Sequence, residues 1–406
     1  MALFQSVDDW ARELLDDGII PSYTNSYAGI GALKNSDVLT AISHIASNVA
    51  RFPILLKTKD GYVYDDSLEY LINKSPDTSM NGYTWKFVMT VNALLANDGI
   101  SRIVRDPITD EPSLIEFYPT SQVYIDDTDV RDVYYEFTST NPTFKTVREP
   151  ARNVIHFKFF TYDGIHGRSP LHSLKEEIAL QESGIHTLTK FFKSGLKGGV
   201  LKANGKLNAD SRRKIRTEFE KAQQGALSGS PIVIDSTAEY TPLEVDTNIL
   251  QLINSNNYST AQIAKALHIP AYKLAVNSPN QSIKQLNEDF IRSDLPYYFA
   301  PIVSELENKL LSSEKRTNYS FEFDTRSETG LSISEAVNAI NGGLLTIDES
   351  RESIGKRQIG DNNTSRLQSD LNAVFLDKKE EYQSMKGGDD RDKRFRSSSD
   401  GDGIEQ

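Results

Sequence analysis

The sequence predicts an α+β fold, and three patterns carry the prediction. Short strand-like segments separated by Asp, Pro and Asn follow one another between residues 52 and 158. Three long stretches with apolar residues at helical spacing come after them, at about Pro170–Lys193, Asn248–Leu267 and Ile283–Leu311. A small β-α-β unit is predicted between the first two of these helices. The chain is therefore expected to combine a strand-rich block with long helices that carry a protruding module.

The strand-rich block is predicted to open with a helix and a hairpin. Ser36 is expected to cap a helix over Asp37–Arg51. Asp60-Gly61 is a turn signal between the strands Ile54–Leu56 and Tyr62–Tyr64. The remaining elements of this block are a helix at about Trp85–Asn97 and strands at Ser101–Arg105, Ser113–Tyr118, Gln122–Ile125, Val133–Thr138 and Asn153–Lys158.

The second half is built around the three long helices. Ser169-Pro170 supplies a cap and a first helical position for the first of them. Pro296 and Pro301 lie inside the third, which is therefore expected to kink. The other predicted elements are the β-α-β unit (strand Val200–Ala203, helix Ala209–Gln224, strand Ile232–Asp235), a loop at Tyr272–Ser282, a strand at Tyr319–Asp324 and helices at Ser332–Asn341 and Ile347–Ile354. Residues 1–35 are expected to form a short acidic helix and a polar stretch, and the charged chain from Lys378 is expected to be disordered.

Composition excludes several classes of protein. The 406 residues carry 45 Lys and Arg against 57 Asp and Glu, a formal net charge of −12, and no cysteine. Disulfide scaffolds, thiol catalysis and cysteine zinc sites are thereby excluded. No apolar run reaches the roughly 18 residues of a membrane helix, and the acidic start lacks the pattern of a signal peptide, so a soluble protein of a cell interior is expected. The acidic balance argues against tight, sequence-reading DNA binding, but it allows a surface past which DNA slides.

Motifs for catalysis are weak. The nearest match to a phosphate-binding loop has five residues between Gly199 and Gly205, where a P-loop needs four. Leu207 also stands where a Ser or Thr would hold magnesium. His172 and Glu176 are four residues apart on one helix face, a spacing that metal ligands can have. An isolated pair of this kind is nevertheless typical of a protein surface. The sequence therefore predicts no catalytic residue, no metal and no cofactor.

Two polar clusters remain as binding candidates. Arg212, Arg213 and Arg216 lie early in the β-α-β helix and are followed by Glu220, a mixed face that suits a protein partner at least as well as phosphates. The loop from Lys273 to Lys284 offers Lys, Asn, Gln and Ser donors that can touch phosphates weakly without reading sequence. An ordinary connector between two helices is the competing interpretation of this loop.

Seven segments, in order and with consistent spacing, carry a resemblance to a known family. They are the Asp37–Pro53 helix ending in VARFPILL, PSLIEFYPTSQV (112–123), NVIHFKFFTYDGIHGRSPL (153–171), FFKSGLKGGVL (191–201), QIAKALHIPAYKL (262–274), NEDFIRSDLPYYFAPIVSELENKLL (287–311) and GGLLTIDESRESIG (342–355). From about residue 37 to residue 359, the sequence resembles the portal proteins of tailed bacteriophages, specifically the HK97-type portal family.

The resemblance implies a portal fold with an α/β wing, long stem helices, a small β-α-β clip, a kinked tunnel helix and a helical crown. The implied parts are the wing (1–168), stem helix 1 (169–194), the clip (195–245), stem helix 2 (246–270), the tunnel loop (271–283), the tunnel helix (284–311), a wing return strand (312–329), the crown (330–376) and a disordered charged tail (377–406). The region after the second crown helix is short and charged, so the crown is expected to be small or partly disordered.

The resemblance also implies a non-enzymatic function. Portals form rings of about twelve subunits at one capsid vertex, through which the terminase large subunit packages double-stranded DNA and through which the DNA is later ejected. Expected partners are other copies of the chain, terminase, a head–tail connector or adaptor, and the major capsid and scaffold proteins, with no membrane. The expected location is the virion, after assembly in the host cytoplasm.

Within this interpretation the two polar clusters acquire roles. The clip residues Arg212, Arg213, Arg216 and Glu220 are expected to dock terminase or the connector. The tunnel-loop residues expected to contact DNA, independently of its sequence, are Lys273, Asn277, Asn280, Gln281, Ser282 and Lys284. Two alternatives stay open, an unrecognised enzyme of DNA metabolism and a ring-forming adaptor that does not channel DNA.

Overall fold

The structure is a computed structural model of the 406-residue chain. It describes residues 30–59, 61–138, 145–194, 199–203, 210, 211, 213, 214, 217, 238–242, 248–276, 282–369, 374, 375, 378 and 381. The acidic helix predicted near the start of the chain, the strand predicted at 232–235 and almost all of the charged tail lie outside these residues.

Helices and strands alternate along the chain. The helices are α1 (Ser36–Arg51), α2 (Ser67–Asn73), α3 (Gly82–Leu95), α4 (Lys175–Ser194), α5 (Asn248–Ala266), α6 (Ile283–Asp289), α7 (Pro296–Leu310), α8 (Arg326–Thr329), α9 (Ile333–Asn341) and α10 (Ile347–Ser353). The strands are β1 (Ile54–Thr58), β2 (Gly61–Val63), β3 (Gly99–Arg105), β4 (Pro112–Tyr118), β5 (Val123–Asp126), β6 (Tyr134–Phe137), β7 (Val147–Pro150), β8 (Val154–Phe157), β9 (Gly199–Ala203), β10 (Ala238–Pro242), β11 (Ser320–Phe323), β12 (Gln368–Ser369) and β13 (Val374–Phe375).

Three antiparallel sheets of three strands organise the first half of the chain. In one sheet β3 pairs with β4 and β8, and in another β6 pairs with β5 and β7. The third contains the predicted β1–β2 hairpin, and β11 joins it with Phe323 opposite Ile54. The chain therefore returns to its first sheet after the long helices.

One large apolar core joins the sheets to the helices. α1, α3, α5 and α7 each contribute fully buried side chains, among them Ile42, Trp85, Ile263 and Tyr298. Trp85 satisfies its indole N–H within this core by donating to Ser101 Oγ at 2.9 Å. Since a buried donor without a partner is costly, this bond helps to fix α3 on β3.

A lysine is buried in the same core. Lys86 is 2% exposed, and its Nζ donates to the Phe52 carbonyl at 2.7 Å and to Asn73 Oδ1 at 3.3 Å. Burial disfavours the charged ammonium and lowers the pKa of Lys86 to about 7. The side chain thereby ties α3 to the ends of α1 and α2.

The cap of α1 differs from the prediction by one residue. Asn35, not Ser36, is the cap, because its backbone is extended and its Oδ1 accepts from the amides of Asp37 at 3.0 Å and Val38 at 3.1 Å. Ser36 is already the first helical residue. Both residue types favour this position, so composition alone did not decide between neighbours.

Two elements of the first block were not predicted, α2 and β7, and α3 begins earlier than expected. The Asn81 side chain caps α3 by accepting from the Thr84 amide at 2.8 Å. Gly82 follows it, and a Cβ there would lie 2.3 Å from the backbone of Asn73. The start of α3 thus packs on the end of α2 at a distance that only glycine permits.

The segment between α4 and α5 contains an antiparallel strand pair. β9 matches the predicted strand Val200–Ala203 and pairs with β10, which was not predicted. The described residues of the predicted helix Ala209–Gln224 are helical. Later in the chain, capping boxes built by Ser332 with Glu335 and by Thr346 with Glu349 open the two predicted short helices, α9 and α10.

Candidate functional site

The polar loop predicted between the second and third long helices begins at a well-defined helix end. The amide of Ile269 donates to the Ala264 carbonyl at 3.0 Å. The amide of His268, which has φ +45°, donates to the Lys265 carbonyl at 3.2 Å. These two bonds form a Schellman motif, and Pro270 then prevents the helix from continuing. The chain therefore leaves α5 in a fixed direction.

The two sides of the loop are tied together at its base. Residues 271–274 form a single 3₁₀ turn after α5, and two of its side chains reach α6. The Tyr272 hydroxyl donates to the Leu286 carbonyl at 2.7 Å. Lys273 Nζ donates to Asn287 Oδ1, also at 2.7 Å. Both bonds span the loop, so its entry and exit are held at a fixed separation.

The two described lysines of the loop have different environments. Lys273 is half-buried, and its Nζ lies 5.0 Å from the centroid of the Phe290 ring. Burial, together with the positive charge of Arg51, lowers the pKa of Lys273. The Lys284 side chain is 80% exposed, with its Nζ 3.6 Å from Glu288. Lys284 is therefore free to reach a ligand, whereas Lys273 is engaged within its own chain.

The third long helix is interrupted by a π-turn. Over Phe290–Asp294 the helix widens, and the Leu295 amide donates to the Phe290 carbonyl five residues back at 3.1 Å. Pro296 has no amide hydrogen, and in a continuous α-helix its ring would clash with the carbonyl four residues before it. The wider turn relieves that conflict. The irregularity expected from the prolines therefore falls just before Pro296, while Pro301 lies inside α7.

An aromatic junction fixes the third helix to the end of α5. Tyr298, 1% exposed, donates its hydroxyl to the Leu267 carbonyl at 2.6 Å, and burial raises its pKa well above the usual value. The Tyr297 ring stacks on His268 with centroids 4.0 Å apart, and its hydroxyl donates to the Phe159 carbonyl at 3.2 Å. The helices on both sides of the loop thus form one unit with the sheet block.

A buried polar network joins both early long helices to α1. Gln181 of α4 donates through Nε2 to Asp37 Oδ2 at 2.5 Å and to Thr260 Oγ1 of α5 at 3.2 Å. Thr260 Oγ1 donates in turn to Asp37 Oδ2, and Asn35 Nδ2 donates to Gln181 Oε1 at 2.7 Å. The network holds α4 and α5 side by side, and sequence patterns gave no sign of it because its bonded partners lie up to 223 residues apart.

A second buried network contains a Tyr-His-Asp arrangement. The Tyr135 hydroxyl donates to His156 Nδ1 at 2.9 Å, and His156 Nε2 donates to Asp98 Oδ1 at 2.7 Å. Burial lowers the pKa of His156, so the neutral ring that these bonds require is favoured. Each of the three residues is at most 7% exposed, and Asp98 also accepts from the Gly167 amide. The network therefore has a structural role, since it cross-links β6, β8 and the turn before β3.

The predicted site residues are only partly brought together. Ser282 and Lys284 lie exposed at the start of α6, and Lys273 lies at the base of the loop, while Asn277, Asn280 and Gln281 fall outside the described residues. In the second cluster Arg213 is exposed and helical, whereas Arg212, Arg216 and Glu220 fall outside the described residues. The sequence prediction missed the anchors Tyr272, Asn287 and Tyr298, whose partners become visible only once the helices are packed.

Within the described ranges, no group of three or more His, Cys, Asp and Glu side chains is placed to hold a metal ion. Among the helices that the structure describes, none is long and apolar enough to cross a membrane.

Solved structures with a similar fold come from phage and phage-like particles. A crystal structure of an HK97-family phage portal protein from Corynebacterium diphtheriae is similar with a TM-score of 0.50 and 16% identity, over 75% of this chain and 96% of that one. A chain in the virion of a native gene transfer agent particle is similar with a TM-score of 0.57 and 14% identity, over 87% of this chain and 100% of that one. A chain in the neck of a native gene transfer agent particle, computed with C12 symmetry, is similar with a TM-score of 0.54 and 15% identity. The match again covers 87% of this chain and 100% of that one. The fold is that of the portal class of proteins.

The family model described as phage portal protein matches residues 36–355. The chain therefore belongs to the phage portal protein family, as its seven segments indicated. A search of curated proteins gave no match.

Proposed function

We propose that the protein assembles into a ring of about twelve copies at one vertex of a capsid and forms a DNA channel there. Double-stranded DNA would enter through it when terminase packages the genome and leave through it at ejection, and the ring would also join head and tail. Family membership over residues 36–355 carries this proposal. The C12 symmetry of the gene transfer agent neck, whose chain has a similar fold, supports the number of copies. The ring would be assembled in the host cytoplasm, with capsid and scaffold proteins, and remain in the virion.

The described elements fit the parts of such a ring. In this proposal α4 and α5 are the stem, the β9–β10 pair belongs to the clip, and residues 271–283 form the tunnel loop that leads into the tunnel helix α6–α7. The sheets of residues 1–168, with β11, form the wing, and α9 and α10 belong to the crown. The network of Asp37, Gln181 and Thr260 supports this division, because it holds the two stem helices together on α1.

Electrostatics favour weak contact between the loop and DNA. Twelve copies at −12 each give the ring a formal charge of −144, so a ring of this overall charge would tend to repel DNA and keep it from sticking. A few donors at the loop then suffice to guide the phosphates. The proposed contacts are Lys273, Asn277, Asn280, Gln281, Ser282 and Lys284, of which Lys284 is the most exposed described cation.

The clip cluster is proposed as a docking surface for terminase and, later, the head–tail connector. Arg213 is exposed on the described part of the clip helix, as such a role requires. Arg212, Arg216 and Glu220 complete the proposed surface. A mixed set of charges suits a protein partner because it gives orientation and specificity.

The native mass of the purified protein tests the ring. Twelve copies of 45.5 kDa give about 546 kDa, and mass photometry or native mass spectrometry would resolve this species from a thirteenfold ring. A monomer or dimer at every protein and salt concentration would contradict the proposal. For the loop, Lys284→Glu is expected to leave the ring mass unchanged and to weaken DNA retention. Lys315→Glu, at a lysine outside the loop that is 50% exposed and paired with Glu111, is expected to change neither.

A further inference from the structure

A cleft at the end of α7 gathers positive charge. It lies between the last turn of α7, the turn that joins β3 to β4 and the start of α2, and its volume is about 420 Å³. Among the described residues, its charged lining consists of five cations and two acids, namely Arg105, Arg152, Lys309, Lys315, Arg316, Asp110 and Glu111. The cleft therefore has a formal charge of +3 within a chain of −12. Its sign is opposite to that of the chain as a whole, which favours an anionic ligand.

Two arginines of the cleft are held by neutral oxygens. The Arg105 guanidinium donates to four of them, which are Asn153 Oδ1 at 3.1 Å and the backbone carbonyls of Asp110, Arg152 and Lys309 at 3.0, 3.4 and 2.6 Å. Arg316 donates to the Leu311 carbonyl at 3.2 Å and to Asn308 Oδ1 at 2.8 Å. Burial lowers the pKa of Arg105, and the like charge of Arg152 lowers it further against the opposing effect of Asp110. These bonds fix both guanidinium groups in place without cancelling their charges.

The end of α7 accounts for only part of this arrangement. The carbonyls of Lys309 and Leu311 lie in or just after its last turn, and a helix C-terminus carries about half a negative charge. Lys309 also has a carboxylate nearby, because its Nζ lies 3.9 Å from Glu305. The two guanidinium groups nevertheless bring two full positive charges to this helix end. An excess of positive charge therefore remains in the cleft, where it would stabilise a bound anion.

Two further cations of the cleft, Arg152 and Lys315, have loosely held partners. Arg152 Nη1 lies 3.5 Å from Asp110 Oδ2, and Lys315 Nζ lies 3.4 Å from Glu111 Oε1. Bonds between such groups are usually about 2.7–2.9 Å long. All four side chains are at least half exposed, so water screens both attractions and each pair contributes little. A carboxylate of a ligand can therefore replace Asp110 or Glu111 at little cost.

The two acids of the cleft indicate which kind of anion fits. Asp110 and Glu111 repel DNA and inorganic phosphate, whose phosphate groups present negatively charged acceptors. A peptide brings carboxylates for the cations and also backbone N–H donors for the acids. The volume of the cleft is that of an ordinary ligand pocket, which suits a few residues of an extended chain. An acidic stretch of protein therefore matches this lining better than a nucleic acid does.

We propose that this cleft binds an acidic segment of a partner protein, whose carboxylates pair with Arg152 and Lys315 beside the fixed charges of Arg105 and Arg316. The bound segment would lie across the end of α7, next to the turn between β3 and β4. Its affinity would fall with rising salt, because the exposed pairs are screened. This inference goes beyond the proposed function and does not depend on ring formation.

Peptide binding to the full-length protein tests the cleft. The probe is a short fluorescein-labelled peptide of alternating Glu and Gly, with its Gln-Gly counterpart as the uncharged reference, and fluorescence anisotropy gives the Kd of each. Arg152→Glu is expected to raise the Kd of the Glu-Gly peptide at least about fivefold, since it replaces an attraction by a repulsion. Glu111→Gln is expected to lower that Kd about twofold or more, because Lys315 loses the carboxylate that competes with the peptide.

An ion pair outside the cleft supplies matched controls. Arg51 and Glu328 also lie 3.5 Å apart, and their side chains are 45% and 43% exposed. Arg51→Glu and Glu328→Gln change the net charge by the same amounts as the two test substitutions. Both controls are expected to leave the Kd of the Glu-Gly peptide unchanged, so they separate a local effect from one of overall charge.

Several results would overturn the inference. These are no saturable binding of the Glu-Gly peptide, equal binding of the Gln-Gly peptide, and equal effects of the test and control substitutions. A Glu111→Gln variant that binds no more tightly than the wild type would also overturn it, and misfolding cannot mimic the expected gain. Duplex DNA or inorganic phosphate that binds more tightly than the peptide, and loses affinity in Arg152→Glu, would assign the cleft to a phosphate ligand instead. A protein that binds the peptide but forms no ring would leave this inference standing and overturn the proposed function.

Discussion

Removing a single hydroxyl group tests how firmly the loop-bearing helix is tied to α5. In Tyr298→Phe the Leu267 carbonyl loses the donor that lies 2.6 Å from it. Tyr298 is 1% exposed, so water cannot replace the lost donor. A buried polar group left without its partner costs about 1–3 kcal/mol. We expect the free energy of unfolding to fall by that amount.

The neighbouring tyrosine provides a matched control. Tyr297→Phe removes the same group, but Tyr297 is 37% exposed and its hydroxyl lies 3.2 Å from the Phe159 carbonyl. Water can take the place of this longer bond, so a loss below about 0.5 kcal/mol is expected. The stacking of its ring on His268 persists in the Phe variant.

Thermal and urea unfolding, followed by circular dichroism, measure both variants. Tyr298→Phe is expected to melt about 2 °C or more below the wild type, and Tyr297→Phe within about 1 °C of it. Equal losses in the two variants would refute the reasoning, because they would show that burial does not set the strength of the bond. A neutral Tyr298→Phe would show that the Leu267 carbonyl finds another donor.

Two further predictions concern the core and the cap of α1. The pKa of Lys86 is about 7 in the fold and about 10.4 in the unfolded chain, so the unfolded state binds more protons between these values. The free energy of unfolding of the wild type, measured in urea, is therefore expected to rise from pH 7 to pH 9 relative to that of Lys86→Met. The same pH dependence in both proteins would contradict the assigned pKa. Asn35→Ala, which removes the cap and also the donor to Gln181, is expected to cost about 1–2 kcal/mol of stability, and Ser36→Ala close to none; the reverse order would restore Ser36 as the cap.

The sequence predicted best what local rules decide. The end of α5 before Pro270 and the cap at Ser169 follow from residue types within a few positions of one another, although Ser169 opens a 3₁₀ turn that precedes α4. The prolines of the third helix predicted an irregularity, but not that it takes the form of a π-turn before Pro296. The hairpin β1–β2 follows from one turn signal. Such features depend on backbone conformations that Pro, Gly and Ser favour, so one sequence is enough to find them.

What escaped prediction depends on contacts between distant segments. The seven-residue helix α2 is too short for periodicity to distinguish, and β7 is stabilised by pairing with β6 rather than by its own pattern. The loop anchors show the same limit. Asn287 is one of many polar residues in the sequence, and its bond to Lys273 exists only because α6 packs beside the turn after α5.

The anchored base also bears on how the proposed loop would handle DNA. An ammonium that donates to Asn287 and lies over Phe290 gives up part of these contacts whenever it reaches toward a phosphate, so Lys273 would bind DNA weakly. Lys284 is itself 80% exposed and lies 3.6 Å from the half-exposed Glu288, an interaction that water screens, so its charge is available at little cost. A channel that must let DNA pass in both directions needs contacts that form and break easily. A fixed loop base with one engaged and one exposed cation meets that requirement, because the position of the loop depends on its own chain rather than on its grip on DNA.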